Sequence, residues 1–153
     1  MTLRHGRRLG VDVGRARVGI AVSDPEGLLA TPVQTLQRTD EDLLERMVAL
    51  AREYEVIEVV VGLPLNLAGA HTASTEDALN LARDLDSRLS SDVMMVDERL
   101  TTVSAHQALR ANGKSQRETR SVVDQVAAVM VLQHALDSER ISGRPTGTPV
   151  AQL

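Results

Sequence analysis

The chain has 153 residues, 42% of them hydrophobic, and a formal net charge of −4, which predicts one domain with a sizeable core. The absence of cysteine excludes disulfides, thiolate nucleophiles and cysteine-bound zinc. An acidic chain whose one aromatic residue is Tyr54 must bind any nucleic acid through a local basic surface rather than by base stacking. Because no apolar run reaches membrane-spanning length, a cytoplasmic protein without a membrane partner is expected.

Period-two alternation predicts two strands near the start of the chain, from Arg8 to Val13 and from Arg17 to Ser23, joined by a tight turn. One face of this pair is aliphatic. The other face carries Gly10, Asp12, Gly14, Gly19, Ala21 and Ser23. We expect this small-residue face to be open to a ligand. A third strand from Leu28 to Gln37, with Pro32 at an edge or bulge, completes a meander.

Helices and strands alternate in the rest of the chain. The predicted elements are a helix from Thr39 to Tyr54, a strand from Val56 to Gly62, a helix from Ser74 to Leu89, a strand from Val93 to Asp97, a short helix from Thr101 or Thr102 to Asn112-Gly113, and a long helix from Glu118 to Ser138. This order predicts a three-layer α/β domain over residues 1–138, with a five-stranded mixed sheet in which strands 1–3 are antiparallel and strands 4–5 parallel. Residues 139–153, with two prolines, are expected to form a disordered tail.

Three acidic residues stand in apolar surroundings. Asp12 lies within an apolar strand, Glu98 just after another, and Asp124 in a stretch from Val122 to Leu132 whose other polar residue is Gln125. A buried carboxylate costs several kcal/mol, roughly, unless it is paired or bound to a cation. A divalent metal site is therefore the first hypothesis.

Each acid also has a structural alternative. Asp12 is placed to cap a turn at Gly14. The triplet Asp97-Glu98-Arg99 is also consistent with a solvated strand end or an internal ion pair. For Asp124 the alternative is a buried salt bridge to Arg99 or Arg120. The residues alone leave these interpretations open.

Four segments of the chain resemble the YqgF (RuvX) family in sequence, order and spacing. They run from Asp12 to Asp24 (DVGRARVGIAVSD), Gly62 to Asn66 (GLPLN), Asp97 to Thr102 (DERLTT) and Asp124 to Ala128 (DQVAA). The resemblance covers Arg7 to Leu136. It implies a ribonuclease-H-like fold related to Holliday-junction resolvases, and nuclease activity on precursor 16S rRNA.

A nuclease of this kind is expected to need divalent metal. Two divalent ions about 3.5 to 4 Å apart can activate water, stabilise the leaving oxygen and clamp the phosphate, and hard oxygen ligands suit Mg²⁺ or Mn²⁺. We predict Asp12 as the bridging ligand, with Glu98 and Asp124 each completing one ion's shell. Strand alternation puts Asp97 and Glu98 on opposite sides, so Asp97 is a substitute for Glu98.

Basic and polar residues near these acids are candidates for holding phosphates on either side of the scissile bond. The candidate nucleic-acid-binding residues are Arg15, Arg17, Asn66, Arg99, Thr102, Lys114, Arg117 and Arg120. For any one of them a solvated surface or capping role is the alternative interpretation.

The residues thus predict a two-metal-ion phosphodiesterase, an endonuclease or exonuclease, that acts as a monomer or homodimer. The family resemblance implies that it matures the 5′ end of precursor 16S rRNA. Alternatives are a Holliday-junction resolvase acting on branched DNA and a transcription regulator that binds nucleic acid without cutting it. An ATP-dependent phosphotransferase is disfavoured, because such enzymes close a second domain of similar size over the nucleotide.

Overall fold

A computed structural model describes the backbone of residues 4–99 and 116–153, and the side chains of 4–99 and 124–153. The strands are β1 (Arg8–Val13), β2 (Arg17–Ser23), β3 (Ala30–Gln37), β4 (Glu58–Leu63), β5 (Asp92–Asp97) and β6 (Thr148–Pro149), and the helices are α1 (Leu43–Glu53), α2 (Ala73–Arg88) and α3 (Gln116–Ser142). The short helix predicted to start at Thr101 or Thr102 lies outside the described residues. No helix in the described ranges is long and apolar enough to cross a membrane.

Over the described residues the mixed sheet has six strands, in the order β3-β2-β1-β4-β5-β6, rather than the five predicted, because residues 148–149 add β6 beside β5. The predicted antiparallel meander of β1 to β3 is confirmed, as is the parallel pairing of β4 with β5, and β1 joins the two halves by pairing in parallel with β4. Pro32 lies in β3, an edge strand whose register with β2 shifts between Ile20 and Ala21. Both the edge position and the irregular pairing agree with the expectation for this proline.

Helices cover both faces of the sheet, which confirms the predicted three-layer α/β fold. One core cluster joins the sheet to α1 and α2, with Leu9, Val59 and Leu85 among its buried members. A second cluster joins the other face to α3 and includes Val60 and Leu132. The continuous valines of β4 serve both clusters, as expected of a strand that is buried on both faces.

The small-residue face of β1 and β2 is covered, and the expectation that it is open to a ligand was wrong for most of its length. A Cβ at Gly10 would lie 2.7 Å from the Cβ of Leu132, and a Cβ at Gly19 would collide with the backbone oxygen of Asp124. Because these glycines have no side chain, α3 packs directly against the strands. The face nevertheless bears Asp12 at its end.

The prediction of a disordered tail from residue 139 was also wrong. Helix α3 continues to Ser142, and β6 pairs antiparallel with Met94 and Met95 of β5. Val150 is buried in the first core cluster. The tail is ordered because one aliphatic side chain and the free edge of β5 offer it a tertiary contact that its composition does not reveal.

A cluster of charged side chains closes the amino-terminal end of β1 and β4. Arg8 donates from Nη2 to Glu139 at 2.7 Å, and Arg4 donates to Glu58 at 3.1 Å and also to Glu139. Arg8, Glu58 and Glu139 are all buried. Burial raises the pKa of the Glu58 carboxyl, and the Arg4 guanidinium partly offsets that rise. We call these four residues the amino-end cluster.

Candidate active site

Asp12 lies near the carboxyl end of β1 on the face covered by α3. It pairs with Gly19 of β2, and its side chain follows Gly10 on the same face of the strand. Only 8% of the residue is exposed. The amide of Gly14 donates to Arg17 O at 2.8 Å, so a backbone bond closes the turn after β1.

Glu98 follows β5 and turns back over the same face. Its amide donates to the backbone oxygen of Leu63 at 3.2 Å. A Cβ at Gly62 would collide with Glu98 Oε2 and would also lie 3.3 Å from Val131 of α3. The carboxylate therefore occupies the space that a side chain at Gly62 would fill, between the sheet and α3.

Asp124 is held over β2 by helix α3. Its backbone oxygen lies against Gly19, and the next residue, Gln125, donates from Nε2 to Thr35 Oγ1 at 3.0 Å. The carboxylate accepts a bond from Arg17 Nε at 2.7 Å, and 14% of its side chain is exposed. The alternative of a salt bridge at Asp124 is thus present, with Arg17 as the partner rather than Arg99. The side chain of Arg120, the other predicted partner, lies outside the described residues.

Asp12 lies between two glycines that the other two acids contact. Gly19 is its partner on β2, and since Val11 pairs with Val61, Gly62 is the next position on β4. Asp124 lies over the first glycine and Glu98 over the second. We call Asp12, Glu98 and Asp124 the carboxyl-end cluster. In the described ranges, no group of three or more His, Asp or Glu side chains is arranged so that it could hold a metal ion.

Asp97 is engaged away from this cluster. Arg99 donates from Nε and from its amide to Asp97 at 3.0 Å each. Hydrogen bonds from the Arg99 side chain hold the pKa of the Asp97 carboxyl below its usual range. The internal ion pair that was one interpretation of this triplet is therefore present. Asp97 as a substitute for Glu98 stays a prediction.

The turn between β1 and β2 carries Arg15 and Arg17 and is clamped by Arg38. The amide of Arg38 donates to Ala16 O at 2.9 Å, and its Nη1 donates to Gly14 O at 2.9 Å. The same guanidinium forms a bidentate pair with Asp77 of α2, with both distances 2.7 Å. That pair lowers the pKa of Asp77 and fixes the turn to α2.

The other candidate nucleic-acid-binding residues differ in their exposure and in their contacts. Arg15 is exposed beside the site, and Arg99 is exposed while paired with Asp97. Asn66 shapes its own loop, because its Oδ1 accepts from Ala68 and Ala70 at 3.0 and 2.9 Å. Thr102 and Lys114 lie outside the described residues, as do the side chains of Arg117 and Arg120.

Sequence reasoning missed two arginine contacts at this site. Arg17 was taken as a phosphate contact and not as the partner of Asp124, and Arg38 was not singled out. The partners lie 107 and 39 residues apart in the chain. No local pattern reports a pair at such a separation. The glycine at position 19 was the one available signal, because it allows α3 to approach β2.

Comparison with known sequences finds a family model, RuvX, described as a Holliday junction resolvase, that matches residues 6–138. A protein of Leifsonia xyli named "Putative pre-16S rRNA nuclease" is 50% identical over 97% of this chain and 96% of its own length. A protein of Clavibacter michiganensis with the same name is 53% identical over 97% of this chain and 93% of its own length.

Among solved structures, RuvC of Thermus thermophilus in complex with a Holliday junction substrate superposes with a TM-score of 0.59. The two chains share 14% identity, and the match covers 93% of this chain and 100% of that one. At this level of identity the likeness concerns the fold, and it agrees with the ribonuclease-H-like architecture expected from the sequence.

Proposed function

Since this chain belongs to the RuvX family, we propose that it is a divalent-metal-dependent nuclease that hydrolyses phosphodiester bonds in precursor 16S rRNA, in the cytoplasm. The observation that carries the proposal is the position of Asp12 between Gly19 and Gly62, with Asp124 over one glycine and Glu98 over the other. Three acids from distant parts of the chain thus lie on one face of the sheet, and the proposal is that metal binding draws their carboxylates together.

The residues of the carboxyl-end cluster fit Mg²⁺ or Mn²⁺. They offer carboxylate oxygens, which are the ligands these ions prefer, and the missing side chain at Gly62 leaves room for the Glu98 carboxylate. Asp12, Glu98 and Asp124 would hold the metal, with Asp124 exchanging its bond to Arg17. When bound, the metal would lower the pKa of attacking water and offset charge on the phosphate.

The chain's own residues position the substrate around this cluster. Asp12 is rigid because it lies within the hydrogen-bonded ladder of β1 and β2. The clamped turn beside it presents Arg15 and Arg17, whose guanidinium groups match phosphate geometry. Phosphate contacts of this kind orient RNA without reading its sequence. Substrate choice would then depend on the shape of the RNA.

The test compares two substrates with one protein. Purified full-length chain in Mn²⁺ is incubated with a precursor 16S rRNA fragment that includes the 5′ leader, and in parallel with a four-way DNA junction. The proposal expects cleavage of the RNA, loss of that cleavage in chelator, and little cleavage of the junction. RNA left intact by a folded protein that holds Mn²⁺ would contradict it.

Resolution of branched DNA is the second candidate, because the matching family model is itself described as a Holliday junction resolvase. This activity would favour a dimer that presents two sites to one junction. Junction cleavage faster than RNA cleavage would select it. Binding of either substrate without cleavage would instead favour a regulator that does not cut.

A further inference from the structure

The ion pair between Arg17 and Asp124 joins two residues with opposite tasks in the proposed function. Arg17 Nε donates to Asp124 Oδ2 at 2.7 Å, and the exposed fractions of the two side chains are 23% and 14%. Asp124 is a proposed metal ligand, whereas Arg17 is a proposed phosphate contact. While the pair is formed, neither residue performs its task fully.

The backbone on the Arg17 side of the pair is fixed. The amide of Gly14 donates to Arg17 O at 2.8 Å, which closes the turn. Arg38 holds the same turn through Ala16 O and Gly14 O, each at 2.9 Å. Any change at this side must therefore be a rotation of the Arg17 side chain, which already contacts solvent.

The backbone on the Asp124 side is fixed as well. Helix α3 lies directly on Gly19, and the bond from Gln125 to Thr35 anchors the same turn of the helix to β3. Because both anchors hold α3 in place, Asp124 and Arg17 can separate only by rotation of their side chains.

We propose that Arg17 acts as a gate on Asp124. In the metal-free protein it neutralises the carboxylate. Entry of a divalent cation displaces it, and the released guanidinium turns toward solvent, where it binds a phosphate of the RNA. The inference rests on the proposed function, because it needs the carboxyl-end cluster to be the metal site.

The physical basis is competition for one carboxylate. A cation that approaches Asp124 is repelled by the guanidinium and must replace its hydrogen bond. A phosphate that binds Arg17 removes both obstacles. Metal and RNA should therefore strengthen each other's binding, and by linkage the two factors must be equal.

The test measures Mn²⁺ affinity by titration calorimetry on the full chain without RNA. Arg17→Gln should tighten Mn²⁺ binding about threefold to tenfold, because the competing bond is gone. Arg15→Gln is the matched control: it removes the same charge from the same turn and reports the through-space effect alone. Arg17→Lys, which keeps the charge but not the Nε donor, should fall between Arg17→Gln and wild type and guards against misfolding of the glutamine variant.

A second titration measures the coupling. Saturating amounts of a short RNA duplex, verified as intact on a denaturing gel, should tighten Mn²⁺ binding to wild type and have a smaller effect on Arg17→Gln. A purely structural role for Arg17 predicts weaker Mn²⁺ binding in its variants.

The outcomes separate the gate from the proposed function. Tighter Mn²⁺ binding by Arg17→Gln than by Arg15→Gln supports the gate, including the case in which wild type binds too weakly to detect. If wild type binds Mn²⁺ measurably and Arg17→Gln binds it no more tightly than Arg15→Gln does, the gate is overturned and the proposed metal site stands. If neither wild type nor Arg17→Gln binds Mn²⁺, both the gate and the proposed metal site are overturned.

Discussion

The two ends of strands β1 and β4 each gather acids from distant parts of the chain, but in different settings. In the amino-end cluster, Glu58 and Glu139 are 3% and 5% exposed. Glu139 bonds to Arg8, whose side chain is 1% exposed, and both acids bond to Arg4, whose side chain is 38% exposed. In the carboxyl-end cluster, Glu98 and Asp124 are only half-buried, and Arg17 retains 23% of its side-chain exposure. Burial of an acid therefore does not by itself indicate metal. Access for a cation, and an arginine partner that unlike Arg8 contacts solvent, distinguish the second cluster.

The sharpest way to break this comparison is Asp12→Asn. Loss of the central carboxylate should reduce RNA cleavage at least about 100-fold, while the melting temperature in chelator stays near or above that of wild type, because repulsion among the acids is relieved. Cleavage rate and thermal melting of the same preparation check both parts. Full activity in this variant would eliminate the proposed mechanism.

The amino-end cluster should respond in the opposite way. Glu139→Gln removes the charge that both Arg4 and Arg8 contact, leaving the buried guanidinium group of Arg8 without full compensation. We expect a loss of about 3 kcal/mol in the free energy of unfolding, or about 6 to 12 °C in melting temperature. Cleavage per folded molecule, measured well below the melting temperature, should stay within about twofold of wild type. If Glu139→Gln is as stable as wild type but inactive, the claim that the amino-end cluster serves stability and the carboxyl-end cluster serves activity is contradicted.

The Arg38 clamp allows a finer test of the carboxyl end. Arg38→Gln frees the turn that carries Arg15 and Arg17, so KM for RNA should rise about threefold to tenfold while kcat changes little. Arg140→Gln is a matched control, because Arg140 joins Asp137 of α3 to the carbonyls of Gly27 and Leu28 in another turn. A similar rise in KM for both variants would show that the effect is not specific to the arginine-bearing turn.

The smallest expected effect is a pH dependence that arises at Glu58. Because burial raises the pKa of this carboxyl in the folded protein, the folded state retains the proton to higher pH than the unfolded state. Its contribution to stability should therefore fall as pH rises from the ordinary glutamate pKa to the raised value. Urea unfolding from pH 4 to 7 measures the free energy of unfolding of wild type minus that of Glu58→Gln. If this quantity rises with pH, the attraction of Arg4 and Arg8 outweighs the effect of burial on the Glu58 carboxyl.

The sequence predicted the elements that depend on local periodicity. Strands β1 and β2 have the bounds expected from alternation, and β4 is buried on both faces as its valines indicated. The tail was missed because the burial of Val150 depends on a tertiary contact with no local signal. The two prolines after residue 139 suggested a disordered tail, and nothing local to that segment indicated that it would pack against the sheet.

The acids of the candidate site could be proposed from the sequence, but their contacts could not. Asp12 and Asp124 stand out against apolar neighbours, whereas their approach depends on Gly19, whose lack of a side chain is equally suited to a bound ligand or a close helix. The pair between Arg17 and Asp124 spans 107 residues. Only the packing of α3 on β2 brings these two residues together.

The most direct test of the carboxyl-end cluster is a crystal structure of the protein soaked in Mn²⁺, with an anomalous difference map. Our account predicts anomalous density about 2.1 Å from carboxylate oxygens of Asp12, Glu98 and Asp124, with the Arg17 side chain turned away from Asp124. Saturating Mn²⁺ that leaves no density at this cluster, or density elsewhere with the ion pair intact, would contradict it.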